Sequence, residues 1–588
     1  MKYLIPFFFL ALVWSCDNKE LGNNGVDAID SEEAQKAFLK NAQPASDLIR
    51  LNQLGYFPKA NKIVSVVGEN SVAAFSIINL ATGKEVSATT NIGKLKKSEL
   101  CGGPVQQIGF AGVEQVGHYQ IKLDNGLYSH PFEIGTQLYD EVLPVVAKSY
   151  YYQRVGLEIT EEYGGQWART AGHLDQEVLY HESTGKTGST SSAKGWYDAG
   201  DFGKYISNGS FAAGQLLHTF ERYPNLYLDG SLNIPESGNG VNDLLDEIKY
   251  ETDWIATMQD DDGGVFHKLT TKRFSGSIMP HEGDKPRYIL SKSATATFDF
   301  AALLAKMARH YQNHDSETTD KWLAQAKNAY KWGQNNASVH FLNPSDVVTG
   351  QYGDEDSSEE QFWAAAELYV TTGEQEYLDF VSNNLPDLSY TYGDGWKSFM
   401  RFFGVGSLLN EDVDIPAELR KDLTNRLVSS ADDLTNRVQT FDYQQGVNDF
   451  QWASNSDVQN VAFVIAEAHR ISPKQDYADA VLSSLNYIFG HNGTGYSMIT
   501  GIGDKSPMNV HHRQSEADDI VEPIPGFVCG GPNYDRQDAN EEGVNYPESV
   551  SKMHAYADLY ESYASNEVCV NWNSPISYLL QFASDAGK

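Results

Sequence analysis

Residues 195–205 read Gly195-Trp196-Tyr197-Asp198-Ala199-Gly200-Asp201-Phe202-Gly203-Lys204-Tyr205, and the apolar residues Phe211, Leu216, Leu217 and Phe220 come after them at helical spacing. Glycines at 195, 200 and 203 predict a loop, and the apolar run predicts that the loop opens into a helix. Asp198 and Asp201 stand three apart in that loop, a setting in which functional groups commonly sit. An Asp just ahead of a helix is also a favoured N-cap. From spacing alone the pair reads either as a cap or as chemistry.

The chain changes texture well before this loop. Between residues 47 and 140, Ile63–Val67, Phe75–Ile78 and His118–Leu123 are short apolar or alternating runs, with turns at Ala81-Thr82-Gly83-Lys84 and Asp124-Asn125-Gly126. That pattern predicts a small all-β sandwich. From about residue 141 the pattern is helical, as in Ala294–Met307, Phe362–Tyr369, Val458–His469 and Tyr477–Phe489, with long Gly/Asn/Asp loops between. The remainder to residue 588 therefore reads as one mostly α domain.

A second acidic position, Glu567, lies near the C-terminus in Asn566-Glu567-Val568. Cleaving an acetal such as a glycosidic bond needs one carboxylic acid to protonate the leaving oxygen and one carboxylate to activate water or attack the anomeric carbon. Acids on two distant segments meet that need. Glu567 is equally readable as a solvated acid in an aromatic, Asn-rich stretch.

The surroundings of each acid resemble glycoside hydrolase family 9. Gly195–Tyr205 is similar to the family's DAGD segment, which implies Asp201 as catalytic base and Asp198 as the helper that holds the water. Ser497–Arg513, ending His511-His512-Arg513, resembles the family's His-containing signature and implies His511 and Arg513 at the sugar beside the cleaved bond. Tyr556–Ser574 resembles the acid signature, which implies Glu567 as general acid and Asp558 as supporting acid; it departs at Cys569, where the family has a small residue such as Ser, Thr or Ala. The resemblance runs from about residue 45 to the C-terminus. It implies an (α/α)6 barrel preceded by an immunoglobulin-like domain, and an endo-acting β-1,4-glucanase that inverts at the anomeric carbon. A water then has to fit between base and sugar, so the Asp201 and Glu567 carboxyls are expected roughly 6.5–9.5 Å apart. Glu567 needs a raised pKa to act as acid, for which Tyr563, Trp572 and the two aspartates are the expected source. Arg513 offers a planar fork to sugar hydroxyls or to a catalytic carboxylate.

Composition narrows the substrate. Forty-four basic against 79 acidic side chains leave a formal charge of −35, which argues against nucleic acid, anionic membranes and polyanionic glycans and favours neutral β-glucans. The 10 Trp, 33 Tyr and 27 Phe include faces on which sugar rings stack, although most aromatics pack cores. Trp196, Trp254, Trp363 and Trp452 are the expected cleft tryptophans. Cellulose-type, mixed-linkage and xyloglucan backbones all remain candidates, as does exo action on oligosaccharides. The reading from another class is a surface glycan-binding lipoprotein that keeps the fold without the chemistry.

Met1-Lys2 followed by the apolar run Leu4–Trp14 predicts an export signal over residues 1–16, and Val13-Trp14-Ser15-Cys16 resembles a bacterial lipobox with Cys16 as the lipidated residue. Ordinary secretion with cleavage near Ser15 is the alternative. Residues 17–46, rich in Asp, Asn, Gly and Ala, read as a tether. The expectation is a monomer anchored to the bacterial outer membrane through lipid, exposed at the cell surface or on the periplasmic face.

Cys101, Cys529 and Cys569 show no spacing of a disulfide framework. The resemblance implies a structural zinc on two Cys and two His ahead of the Asp198 loop in many relatives; here Val155 and Gly172 stand where cysteines are expected and only His173 and His181 remain, so zinc is expected to be absent. No cofactor is expected for catalysis. Asp243, Asp246 and Glu247, after the Ser237–Asn242 loop, are candidate ligands for a structural calcium. Val241, Leu244, Leu245, Ile248 and Ile255 equally make this segment an ordinary amphipathic helix with solvated acids.

Overall fold

The computed structural model describes residues 40–587 apart from 391, 393, 394 and 547–549. Cys16, the export signal and the tether up to residue 39 lie outside the described residues.

Ten strands build the N-terminal sandwich: β1 (Ile49–Arg50), β2 (Gly55–Tyr56), β3 (Lys62–Val67), β4 (Phe75–Asn79), β5 (Lys84–Val86), β6 (Thr89–Ile92), β7 (Lys96–Lys97), β8 (Pro104–Ala111), β9 (Gly117–Leu123) and β10 (Phe132–Ile134). One sheet runs β1-β3-β8-β6, with β7 also on β8, and the other β2-β10-β9-β4-β5. Alternation along β8 and β9 sends Ile108, Phe110, Tyr119, Ile121 and Leu123 between the sheets, where they meet Val64, Val66, Ile77 and Phe132. The polar edge of this unit is tied to the helical domain: Asn52 Nδ2 donates to Asn486 Oδ1 at 2.9 Å, Gln53 Nε2 to the Gly495 carbonyl at 2.9 Å, and Ser65 Oγ meets His491 Nε2 at 2.9 Å.

Twelve helices of nine residues or more make up that domain among the described residues: α1 (Val142–Tyr152), α2 (Ile206–Arg222), α3 (Asp243–Ile255), α4 (Ala294–Tyr311), α5 (Ser316–Asn335), α6 (Ser358–Thr372), α7 (Gln375–Asn383), α8 (Met400–Leu408), α9 (Ala417–Thr440), α10 (Ser454–Ile471), α11 (Gln475–Ile488) and α12 (Ile576–Ala586). Even-numbered helices form the inner ring. Helix α4 packs on both α2 and α6, α6 on α8, α10 on α12 and α12 on α2, and Phe399 and Phe403 close the gap from α8 to α10 on Phe463. Their sequences explain the placement: α4 and α8 are apolar or small almost all round and nearly wholly buried, whereas α5 and α9 carry one buried stripe and a charged face. This is the expected (α/α)6 barrel with an immunoglobulin-like sandwich ahead of it.

Helical periodicity did not show a third sheet, formed by β11 (Val178–Tyr180), β12 (Ser189–Thr190), β13 (Lys204–Tyr205), β14 (Lys268–Thr271) and β15 (Arg287–Ile289) in the order β12-β11-β15-β14-β13. Its strands are two to four residues long, below what a period of two can reveal. It fixes the Asp198 loop, because β13 comes directly after that loop and pairs Lys204 with Leu269 and Tyr205 with Lys268.

Candidate active site

The loop from Gly195 to Gly203 is held by backbone on both sides. Val155 N–H donates to the Gly195 carbonyl and Tyr197 N–H to the Gln153 carbonyl, both at 2.8 Å, and Asp198 N–H closes onto the Gly203 carbonyl at 3.0 Å. Two glycines are obligatory. Gly195 has φ +87° with the Trp254 ring against it, and a Cβ on Gly200 would stand 2.0 Å from the His511 carbonyl oxygen. The cap for α2 is Tyr205, not either aspartate.

Both aspartates are buried. Asp198 Oδ1 accepts from Asn208 Nδ2 at 2.6 Å and Oδ2 from Tyr352 Oη at 2.7 Å. Burial first, and then the charge of Asp201, push the Asp198 carboxyl up to about 7. Asp201 Oδ2 accepts from Gly203 N–H at 3.1 Å. Behind it stands Lys268, whose ammonium is pushed down to about 7 by burial while Asp201 opposes the shift.

Glu567 reaches the same place from the far end of the chain. Bridges pair His511 with Glu567, Cys529 with Val568 and Ala199 with Cys569, and Val570 N–H donates to the Asp198 carbonyl at 2.9 Å. Burial, followed by the charge of Asp201, holds the Glu567 carboxyl well above its usual value; the Arg513 charge and the Gly200 N–H oppose this without reversing it. The three acids therefore share one site in which burial and the Asp201 charge favour the protonated form of Glu567.

The remaining predicted residues divide. His511, Tyr563 and Trp452 form an aromatic wall beside Glu567: His511 stacks on Tyr560 at 4.9 Å and meets Tyr563 at 6.0 Å, and Tyr563 meets Trp452 at 5.6 Å. His511 Nδ1 lies 2.6 Å from the Tyr560 carbonyl, which only accepts, so the proton is on Nδ1 and Nε2 is left as an acceptor. Burial and then Arg513 push this imidazole down to about 4, keeping it neutral.

Arg513 is more committed than the resemblance implies. Its Nη1 donates to the Gly200 carbonyl at 2.8 Å and its Nε to the Ser275 carbonyl at 3.0 Å, with Phe274 over the guanidinium. Its Nε and Nη1 tie two loops together. Asp558 likewise accepts from Met508 and Asn509 N–H at 3.0 and 2.8 Å and braces the segment leading to His511.

Trp254 and Trp363 are corrections. Both are fully buried, as is Trp196: Trp254 lies under Lys204 and Gly195, and Trp363 packs on Phe403 and Gly214. None offers a face to a sugar. Tyr352, Asn208 and Lys268 are the site residues that sequence reasoning missed. Asn208 lies in the first turn of α2, and Tyr352 arrives on a loop in the left-handed conformation, φ +46°; no local pattern marks either.

The carboxylates considered for calcium do not form one site. Asp243 accepts from Gly230 N–H, Leu232 N–H and Ser237 Oγ, Asp246 from Asn239 Nδ2, and Glu247 pairs with the buried Arg154 at 3.0 Å while accepting from Trp196 Nε1. Arg154 meets the Glu247 charge, while Asp243 and Asp246 accept from neutral donors. Zinc fits no better at the position the resemblance implies. Val155 lies in an apolar cluster with Tyr197 and Phe202, Gly172 has no side chain, His173 bonds Tyr197, and His181 lies elsewhere against Asp346.

A family model described as "Glycosyl hydrolase family 9" matches residues 139–580, and one described as "Cellulase N-terminal ig-like domain" matches residues 45–126. The chain belongs to glycosyl hydrolase family 9. Among similar proteins, the "Xyloglucan-specific endo-beta-1,4-glucanase BoGH9A" of Bacteroides ovatus is 35% identical over 557 residues, covering 90% of this chain and 92% of its own. "Endoglucanase D" of Acetivibrio thermocellus is 30% identical over 543 residues, with 90% of this chain and 82% of its own covered. A solved "Bacteroides ovatus GH9" structure superposes with a TM-score of 0.84 at 33% identity over 92% of this chain and all of the other. This family 9 member is a glycoside hydrolase of the cellulase type.

Proposed function

We propose that this family 9 enzyme is an endo-β-1,4-glucanase that cleaves neutral plant β-glucans with inversion. Asp201 is the base that takes a proton from the attacking water, Asp198 holds that water, and Glu567 delivers its proton to the departing glucosidic oxygen. The observation that carries this reading is the pairing of Glu567, whose protonated form burial and Asp201 favour, with a carboxylate loop joined to it through Ala199 and Cys569. His511, Tyr563 and Trp452 line the path of the sugar, and His511 Nε2 accepts from a sugar hydroxyl.

The test is product analysis on cellulose, mixed-linkage glucan, xyloglucan and glucomannan. Early long oligosaccharides are expected, and mono- or disaccharide alone from the outset would overturn endo action. Asp201→Asn and Glu567→Gln should each lose most activity. An initial β-anomeric product by NMR contradicts the water mechanism, and binding without new reducing ends in the unmodified protein would leave a non-catalytic glycan-binding lipoprotein. The xyloglucan-specific relative favours xyloglucan as the first substrate tried.

The expected lipid anchor at Cys16 and monomeric state belong to the same proposal. Detergent-phase partition of the full-length protein that is lost in Cys16→Ser supports the anchor, and light scattering reads the state.

A further inference from the structure

We propose that His173 is a positioning residue of the Asp198–Asp201 loop, gripping the loop on both flanks through the Tyr197 hydroxyl and the Phe202 ring. The inference rests on the roles proposed above for Asp198 and Asp201.

Tyr197 directly precedes Asp198 and Phe202 comes directly after Asp201, so whatever holds these two side chains sets both ends of the carboxylate turn. One imidazole touches both. His173 Nδ1 lies 2.8 Å from Tyr197 Oη, and its ring meets Tyr197 edge-on at 5.6 Å and 83° and Phe202 at 5.1 Å. Tyr197 and Phe202 in turn lie against each other at 4.9 Å and form, with Val155, a small apolar cluster separate from the barrel core.

The imidazole is itself held from behind. A Cβ on Gly283 would come within 2.3 Å of His173 Nε2, and one on Gly172 within 2.2 Å of the Pro280 backbone, so residues 172–173 are wedged against residues 280–283. His173 also adopts φ +51°, a left-handed conformation rare for a side-chain-bearing residue and kept only where surroundings enforce it. Around the ring stand Arg287, Asp175, Lys204 and Arg169; burial, then Arg287, push the imidazole down to about 3. The neutral imidazole and the tyrosine hydroxyl share one hydrogen bond whose direction follows the tautomer.

The experiment compares the full-length protein with Tyr197→Phe, His173→Ala and His173→Asn, reading kcat and KM on a soluble β-glucan and hydrogen exchange of the peptide spanning residues 195–205. Tyr197→Phe removes only the hydroxyl, and should lower kcat about three- to tenfold, the size of one hydrogen bond, with KM within about twofold. His173→Ala should lower it further. Asn places a polar atom near Nδ1 and tolerates the left-handed backbone, so His173→Asn should recover much of kcat. Exchange at residues 195–205 should quicken in the first two variants and return toward normal in the third. Unchanged kcat or unchanged exchange in Tyr197→Phe overturns the clasp, and this variant decides the matter even if His173→Ala fails to fold. Asp201→Asn is carried alongside: if it keeps its activity, the proposed chemistry falls and the exchange data alone judge the clasp.

Discussion

The amide of Val570 donates to the carbonyl of Asp198 at 2.9 Å, stitching the segment that carries Glu567 to the loop that carries both aspartates. Main chain therefore sets the placement of the three acids, and side chains tune their protonation.

Replacement at Cys569 should be tolerated. Its sulfur accepts from Asn208 Nδ2 at 3.2 Å, while the neighbouring bridge to Ala199 uses backbone only. A serine hydroxyl accepts in the same way, so Cys569→Ser is expected to keep kcat within about threefold, since one neutral hydrogen bond exchanges for another. Asn208→Ala strips Asp198 Oδ1 of its donor and should cost about tenfold in kcat, the effect of about 1.4 kcal/mol. Parallel kinetics of the two variants check this.

The Tyr352 hydroxyl lowers the Asp198 pKa against the burial and the Asp201 charge that raise it to about 7. Tyr352→Phe removes the lowering influence. Asp198 then holds its proton to higher pH, and the acidic limb of the kcat/KM profile should move upward in pH with it. A limb that stays in place would exclude Asp198 as the group it reports.

The tryptophans should separate by readout. Trp452→Ala is expected to raise KM on soluble glucan with little loss of melting temperature, because its ring lies on the wall with Tyr563. Trp254→Ala and Trp363→Ala open cavities in a fully buried core and should cost about 3–5 kcal/mol of stability, read by denaturant unfolding.

Glu251 accepts from Trp196 N–H at 2.6 Å and is pushed from 4.5 up to about 8, chiefly by burial. Its pKa is higher folded than unfolded, so its contribution to stability is full below about 4.5 and is lost as pH rises through about 8. Glu251→Gln should flatten the fall in stability over that window, measured as melting temperature against pH.

Glu247→Gln leaves Arg154 paired with Glu236 alone and should destabilise, by less than the ~3–5 kcal/mol of a fully unpaired buried charge. Because Arg154, and not a cation, meets that carboxylate, added calcium should not restore the melting temperature.

The order of texture, strands and then helices, is legible in the chain alone, because periods of two and 3.6 are local properties. Ile63–Val67, His118–Leu123 and Ala294–Met307 all lie in elements of the expected kind. Asp198, Asp201, His511 and Glu567 stand out in the chain only through the long motifs that resemble family 9, since their spacing alone reads equally as caps or solvated acids. Burial and partnership are not local. Trp254 and Trp452 look alike in sequence, and only the packing of α3 beneath Gly195 puts one inside while the other remains on a wall. Glu247 has the look of a ligand until Arg154 meets it across the fold, and Tyr352 becomes visible only where its loop lays a hydroxyl on Asp198. Residue type and spacing specified which groups could act; contacts between distant segments set which of them face the cleft and which are neutralised within the protein, because charge and burial are settled by whatever the fold brings near.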